Sequence, residues 1–214
     1  MRRILLLLTL ALLGGWAVAH PIDELVQASY LSLSPDALEL ELNLTPGAQV
    51  AAPMMQLVDT DRDGLLTQAE VERYAANVLS ELRLSVDGRA VNLELARVTK
   101  PQTSAFVAGG GTVQIIARAA LPGGAGRHVL EFENLHAPVK SGYLSNGFAQ
   151  SDSIQLFSQT RNDDQSAYRL EYGRASGGGG YATYLALALA LAIGMTASGV
   201  WWTRRRRVGE VSRA

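Results

Sequence analysis

The sequence predicts a mainly β fold, an antiparallel β-sandwich with one inserted helix pair, followed by a single C-terminal transmembrane helix. Three observations support this fold class. Short segments with apolar residues at every second position fill most of the chain. Apolar residues at three- and four-residue spacing mark the stretch 50–80 as helical, and one long uncharged segment stands near the end.

Eight segments have the length and alternation of strands. The turn Ser34-Pro35-Asp36 joins the first two, and Asp87-Gly88 is a strong hairpin signal between the third and fourth. Short strands that each carry one polar face favour an antiparallel β-sandwich. The predicted strands are Val26–Leu33, Leu38–Leu44, Leu82–Val86, Val91–Leu95, Thr112–Ala119, His128–Phe132, Ile154–Gln159 and Ala167–Tyr172.

Residues 1–19 are expected to be a cleavable signal peptide. Two arginines precede an apolar run at 4–13, and Ala17-Val18-Ala19 has the small residues of a cleavage site. The apolar run is too short to span a bilayer. The segment therefore predicts export and a mature N-terminus at His20.

The segment 181–203 is predicted to span the membrane. Residues 181–202 carry no charge, tyrosines and tryptophans stand at its two ends, and four arginines follow at 204–207. The positive-inside rule makes 204–214 a cytoplasmic basic tail, so the preceding domain lies outside the inner membrane, in the periplasm. Residues 175–180, rich in glycine, form a flexible linker by composition.

The C-terminal region permits a second interpretation. The glycine-rich segment, the apolar helix and the arginine cluster together resemble the bacterial tripartite sorting signals of the GlyGly type. That resemblance implies cleavage near Gly177–Gly180 by a rhomboid-class protease, with release or surface sorting of the domain. The same composition equally fits a permanent anchor.

The region 20–174 is long enough for one domain with its own core. It holds 12 basic and 19 acidic side chains, a net charge near −7, which excludes nucleic acid as a partner and does not favour adhesion to an anionic membrane. The chain contains no cysteine, so no disulfide stabilises this domain in an oxidising compartment.

Residues 59–70 have the spacing of a twelve-residue EF-hand calcium loop. Carboxylates stand at the first, third, fifth and twelfth positions and glycine at the sixth. Calcium prefers about seven oxygen ligands, which side chains at alternate positions of a wound loop supply, together with one backbone carbonyl and a hydroxyl acting through water. Glu70 closes the shell with both oxygens. The predicted ligands are Asp59, Asp61, Asp63, Leu65, Thr67 and Glu70.

The flanks of the loop agree with this assignment. Thr67 and Glu70 form a capping box that begins the outgoing helix, and Pro53 places the start of the incoming helix. No second loop of this pattern is present, so we expect Leu66 and the apolar helix faces to pack against the sheet or another chain. Those faces are Ala51, Met54, Met55 and Val58 on one helix and Val71, Tyr74, Ala75 and Val78 on the other.

His20 offers a second metal hypothesis. A free α-amine and imidazole chelate copper(II) or nickel(II), with His128 or His136 as the further ligand. The His-Pro start and the predicted sheets resemble periplasmic copper-resistance β-sandwiches. The alternative function is therefore a transition-metal accessory protein.

The pattern as a whole resembles a bacterial family of extracytoplasmic domains, some of which precede nickel/cobalt-transporter-like membrane regions. The resemblance rests on the EF-hand loop and four short segments. It implies an exported domain over residues 20–172, but this chain has one predicted span in place of a transporter. The segments are His20–Glu24, Leu44–Gly47, Asn134–His136, and Tyr143 with Asn146.

The sequence lacks the common hydrolase, phosphate-loop and zincin motifs, so we expect no enzymatic activity. The preferred function is a membrane-anchored binding domain with a structural Ca²⁺ and an unidentified protein partner.

Overall fold

The computed structural model describes residues 23–175, which form ten strands and three helices. The strands are β1 (Leu25–Leu33), β2 (Ala37–Pro46), β3 (Leu82–Val86), β4 (Arg89–Ala90), β5 (Glu94–Thr99), β6 (Val113–Ala120), β7 (Gly126–Asn134), β8 (Ser141–Ala149), β9 (Ile154–Arg161) and β10 (Ala167–Arg174). The helices are α1 (Ala51–Val58), α2 (Gln68–Ser80) and α3 (Thr103–Val107). The predicted mainly β character is confirmed.

The strands form two five-stranded sheets, in the orders β5-β6-β2-β1-β8 and β4-β3-β7-β10-β9. Leucines at every second position of β2 and their partners on β1 and β6 face one core, which also receives residues of β3, β7 and β10. The two sheets therefore bury their inner faces against each other.

One pairing corrects the expected antiparallel arrangement. β8 runs parallel to β1, with Leu25 opposite Ser141 and Leu33 opposite Ala149. The reason is the route of the chain. β7 belongs to the other sheet and ends near the start of β1, and residues 135–140 cross between the sheets at that same end, so β8 starts beside the start of β1. β8 itself was not predicted.

The hairpin at Asp87-Gly88 is present. Both residues have positive φ, 51° and 76°, the backbone that a tight two-residue turn between β3 and β4 requires. The predicted strand Val91–Leu95 is wrong in its bounds. β4 ends after two residues, residues 91–93 pass to the other sheet, and β5 pairs there with β6.

The helices lie at the end of the sheets where β2 finishes and β3 begins. α1 buries Ala51, Met54 and Val58, and Pro53 stands in its first turn. α2 buries Val71, Tyr74, Ala75 and Val78, the face expected from the sequence. Both faces join the core that the sheets share, so the helices close that end of the domain.

Candidate metal centre

Asp59 ends α1 and organises the loop that follows. Its N–H donates to Met55 O at 2.9 Å, as the last turn of the helix requires. One carboxylate oxygen accepts from Arg62 N–H at 2.7 Å and the other from Gly64 N–H at 2.9 Å. The side chain is only 5% exposed. These bonds bend the backbone around the carboxylate of Asp59.

The bend depends on two residues with left-handed backbone. Arg62 has φ of 63° and Gly64 has φ of 81°. A Cβ at Gly64 would meet nothing within 4 Å, so the backbone conformation rather than lack of space makes glycine the suitable residue.

Asp61 and Asp63 stand on the exposed side of the loop. Asp61 accepts from Asp63 N–H at 3.2 Å, and Asp63 accepts from Leu65 N–H at 2.8 Å. One carboxylate oxygen from each of Asp59, Asp61 and Asp63 lies within 4.8 Å of the other two. The fold therefore brings three of the predicted ligands to one point.

The electrostatics of this cluster favour a cation. The hydrogen bond from Asp63 N–H lowers the pKa of Asp61, but desolvation and the charges of Asp63 and Glu70 outweigh it and raise that pKa. The raised pKa means that the ionised form of Asp61 is disfavoured, first by desolvation and then by repulsion from the neighbouring carboxylates. A divalent ion at this point would relieve that repulsion.

Glu70 holds the two ends of the loop together. One of its oxygens accepts from Thr60 N–H at 2.7 Å, and the other accepts from Thr67 N–H at 2.9 Å and from the Thr67 hydroxyl at 2.7 Å. The bonds from Thr67 and Thr60 lower the pKa of Glu70 to about 2, against the effect of desolvation. Glu70 is therefore ionised and points back toward the loop.

The predicted capping box is present. Thr67 accepts from Glu70 N–H at 3.3 Å, while Glu70 accepts from Thr67 N–H, so the first turn of α2 is fixed from both sides. Glu70 is not one of the three residues whose oxygens converge within 4.8 Å. Coordination by Glu70, by the Leu65 carbonyl and by Thr67 stays a prediction.

Leu66 packs inside this chain. Its N–H donates to the Thr103 hydroxyl of α3 at 3.0 Å, and its side chain lies in the core with the fully buried Phe106. Leu66 is therefore packed against α3 of the same chain.

A buried polar network lies behind α2. The Nε2 of His136 lies 2.8 Å from the Tyr74 hydroxyl, and its Nδ1 lies 2.8 Å from Glu81 Oε2. Its carbonyl accepts from Gln27 of β1 at 2.7 Å, and the amide of Asn134 donates to the same Gln27 at 2.9 Å. The network joins α2, β1 and the end of β7. The sequence analysis singled out Asn134 and His136 but not Gln27, because the alternation in β1 does not show that Gln27 points inward.

A cleft of about 340 Å³ opens between α1, α2 and the segment after β7. Glu70, Arg73 and His136 line it, and the exposed side chains of Leu57 and Leu135 stand at its border. It directly adjoins the loop through Thr60, whose hydroxyl accepts from Arg73.

The two described histidines lie in different places and have partners on both ring nitrogens. His128 contacts Asp87 at 2.7 Å and the Gly124 carbonyl at 3.0 Å, while His136 contacts Tyr74 and Glu81. A metal at either ring would have to displace one of these bonds. His20 lies outside the described residues.

The remaining sequence predictions concern segments beyond residues 23–175. These are the signal peptide 1–19, the linker after Ala175, the span 181–203 and the basic tail 204–214. None of the helices formed by residues 23–175 has the length and apolar character needed to cross a bilayer.

No protein-family model, curated protein or solved structure matches the chain. The geometry of residues 59–70 therefore carries the functional argument.

Proposed function

We propose that residues 20–174 form a calcium-binding, membrane-anchored extracytoplasmic interaction domain, a β-sandwich with an inserted EF-hand. The observation that carries the proposal is the convergence of Asp59, Asp61 and Asp63 within 4.8 Å on a loop closed by Glu70. The predicted shell adds the Leu65 carbonyl and Thr67.

The donor set favours calcium among metal ions. Carboxylate, carbonyl and hydroxyl oxygens are hard ligands of the kind that calcium binds, whereas copper, nickel and zinc favour nitrogen or sulfur. The loop has no histidine, and the chain has no cysteine. Magnesium demands near-ideal octahedral geometry and retains much of its water, whereas calcium accepts the larger oxygen shell that a twelve-residue loop of this spacing offers.

The packing supports a structural ion over a switch. Both helices bury their apolar faces in the core, and Leu66 is held by Thr103, so the loop is fixed at several points. Extracellular sites of this type bind at about 10⁻⁴–10⁻³ M, and occupancy at millimolar calcium would stabilise the domain by about 1 kcal/mol.

Thermal melting of residues 20–174 with and without calcium tests the proposal. Chelator should lower Tm, because four carboxylates then repel one another without a counterion, and added calcium should restore it. Glu70→Gln should respond far less, since it loses charge and the two-oxygen clamp. Asp59→Ala should behave similarly.

Glu72→Gln is the matched control, because Glu72 lies on the same helix and is exposed. It should keep the full response to calcium. The proposal fails if chelator leaves the wild-type Tm unchanged and calorimetry at millimolar calcium detects no binding.

A further inference from the structure

The end of the domain from which the chain leaves is fixed by several contacts. Ala175 N–H donates to Ser153 O at 2.8 Å, and the Arg174 guanidinium donates to Gly123 O at 3.0 Å and pairs with Asp36. The chain therefore leaves the domain beside the β1–β2, β6–β7 and β8–β9 connections. We call this the exit end.

The calcium loop lies at the opposite end. β2 begins beside Asp36 at the exit end and finishes at Pro46, shortly before α1 and the loop. β9 also runs from one end to the other, and its eight residues correspond to about 26 Å. The six residues 175–180 that precede the predicted span extend over at most about 20 Å. A membrane anchor at 181–203 would hold the exit end near the lipid and leave the calcium loop farther away.

Charge is distributed unevenly between the two ends. The exit-end segments 34–36, 87–89, 121–127, 150–153 and 174–175 carry three acidic and three basic side chains. The segments at the other end, 23–24, 47–81, 100–112, 135–140 and 162–166, carry ten acidic and four basic side chains. Anionic lipid should therefore repel the acidic calcium end of the domain, whereas the exit end is close to neutral and is not repelled.

Two exposed phenylalanines flank the β8–β9 connection at the exit end. Phe148, 45% exposed, comes one residue before β8 ends, and its ring centroid lies 6.2 Å from that of Tyr30. Phe157, 43% exposed, lies in the first half of β9 with the Arg127 guanidinium 4.2 Å from its ring centroid. Exposed aromatic rings next to a cationic side chain suit the boundary between acyl chains and headgroups.

We propose that this exit end contacts the lipid headgroups and orients the calcium loop away from the membrane. The contact is made by residues 150–153 and by both flanks of the end, with Phe148 on the outer face of one sheet and Phe157 with Arg127 on the outer face of the other. The proposal rests on the membrane anchor of the proposed function and is independent of calcium binding.

Site-specific labelling of the full chain in vesicles tests the orientation. The chain has no cysteine, so Asp152→Cys and Asp163→Cys each introduce one fluorophore site, in exposed turns at opposite ends of β9. Vesicles contain phosphatidylglycerol, phosphatidylethanolamine and a lipid with a nitroxide on its headgroup, which quenches at short range. The label at 152 should be quenched several-fold more than the label at 163. Equal quenching, or stronger quenching at 163, overturns the proposal.

A second comparison tests contact by the phenylalanines. Phe148→Ala with Phe157→Ala should lower quenching at 152 by at least half. Leu57→Ala with Leu135→Ala, which removes two similarly exposed apolar side chains at the calcium end, should leave it unchanged. Phe148→Asp alone leaves the packing of Phe157 on Gly173 intact, and it should also lower the quenching at 152 by at least half. Unchanged quenching in folded Phe148→Asp protein overturns the proposal.

Two controls separate this proposal from the proposed function. Loss of the calcium-dependent rise in Tm would refute calcium binding and leave the quenching result standing. Failure of the full chain to sediment with vesicles would refute the anchor and the exit-end contact together, with calcium binding still measurable on the released domain.

Discussion

Replacing Tyr74 by phenylalanine removes one hydroxyl from the buried network that joins α2 to β1. The Glu81 carboxylate only accepts hydrogen bonds, so the proton of His136 lies on Nδ1 and its Nε2 accepts from the Tyr74 hydroxyl at 2.8 Å. Burial lowers the pKa of His136 despite the opposing effect of Glu81, which favours this neutral form. Tyr74→Phe leaves a buried ring nitrogen without its donor.

The loss of stability in Tyr74→Phe follows from the burial of the hydrogen bond between Tyr74 and His136. Tyr74 and His136 are 5% and 4% exposed, so water does not readily replace the lost hydroxyl. A buried acceptor that loses its partner costs about 1–3 kcal/mol. In a domain of this size each 1 kcal/mol corresponds to about 2–4 °C, so we expect Tm to fall by about 2–12 °C. The aromatic ring remains, so no cavity contributes.

Circular dichroism melting of residues 20–174 at saturating calcium measures this change. Tyr30→Phe is the control, since the Tyr30 hydroxyl makes no hydrogen bond to any side chain or backbone group of residues 23–175. The Tm of Tyr30→Phe should match that of the wild type within 1–2 °C, which corresponds to about 0.5 kcal/mol. Equal Tm values for the two variants would refute the assigned role of the network.

Three further predictions concern other parts of the fold. The hydrogen bond that His128 donates to the Asp87 carboxylate raises the pKa of His128. The contribution of His128 to stability is therefore full below about pH 6.5 and is lost as pH rises through the folded-state pKa. His128→Gln should flatten this dependence of stability on pH in urea unfolding, and an unchanged dependence contradicts the prediction. Gly147→Ala places a Cβ against the Tyr168 hydroxyl oxygen and the Leu170 side chain, and it should destabilise the domain by about 1–3 kcal/mol in urea unfolding. Wild-type stability of the variant would show that the site relaxes freely. The Gln159 side-chain amide accepts from Gly147 N–H and donates to Gly147 O, both at 3.3 Å. Gln159→Ala should therefore expose the backbone edge of β8 and promote self-association, measured by sedimentation velocity. A strictly monomeric variant argues against this prediction.

The sequence predicted most strands because their alternation is local, but it missed β8. Ser141–Ala149 contains two glycines and an inward Ser145, so no apolar period marks it. Its position follows from pairing with β1 and from the Gln159 side chain, both of which depend on residues distant in the chain. Gly147 is required there by the Tyr168 hydroxyl, which no local pattern indicates.

The alternation in β1 predicted a strand but not which face is buried. Val26, Ala28 and Tyr30 suggest one apolar face, yet Gln27 and Ser29 point inward with Leu31. Gln27 is buried because Asn134 and the His136 carbonyl satisfy its amide, and these partners lie more than a hundred positions away. A polar residue at an inward position becomes informative only when its partners are known.

The calcium loop could be predicted from the sequence for the opposite reason, because its signals are local. Its predicted ligands, its glycine and its capping box lie within twelve consecutive residues, so the demands of calcium coordination can be compared directly with the spacing. What the sequence left open was which part of the chain packs against Leu66. The structure shows that α3 does, because Thr103 accepts from Leu66 N–H and Phe106 lies in the same core.

Packing against α3 has a consequence for how calcium would act. The apolar faces of α1 and α2, together with Leu66, belong to the same core as both sheets, so the loop cannot open without disturbing that core. An ion that binds only the closed loop would then stabilise the whole domain rather than a local segment. The calcium-dependent transition should therefore coincide when followed by far-ultraviolet dichroism, which reports the sheets, and by tyrosine fluorescence, which reports Tyr74 on α2 together with the sheet tyrosines. Two separate transitions would mean that the hand unfolds on its own.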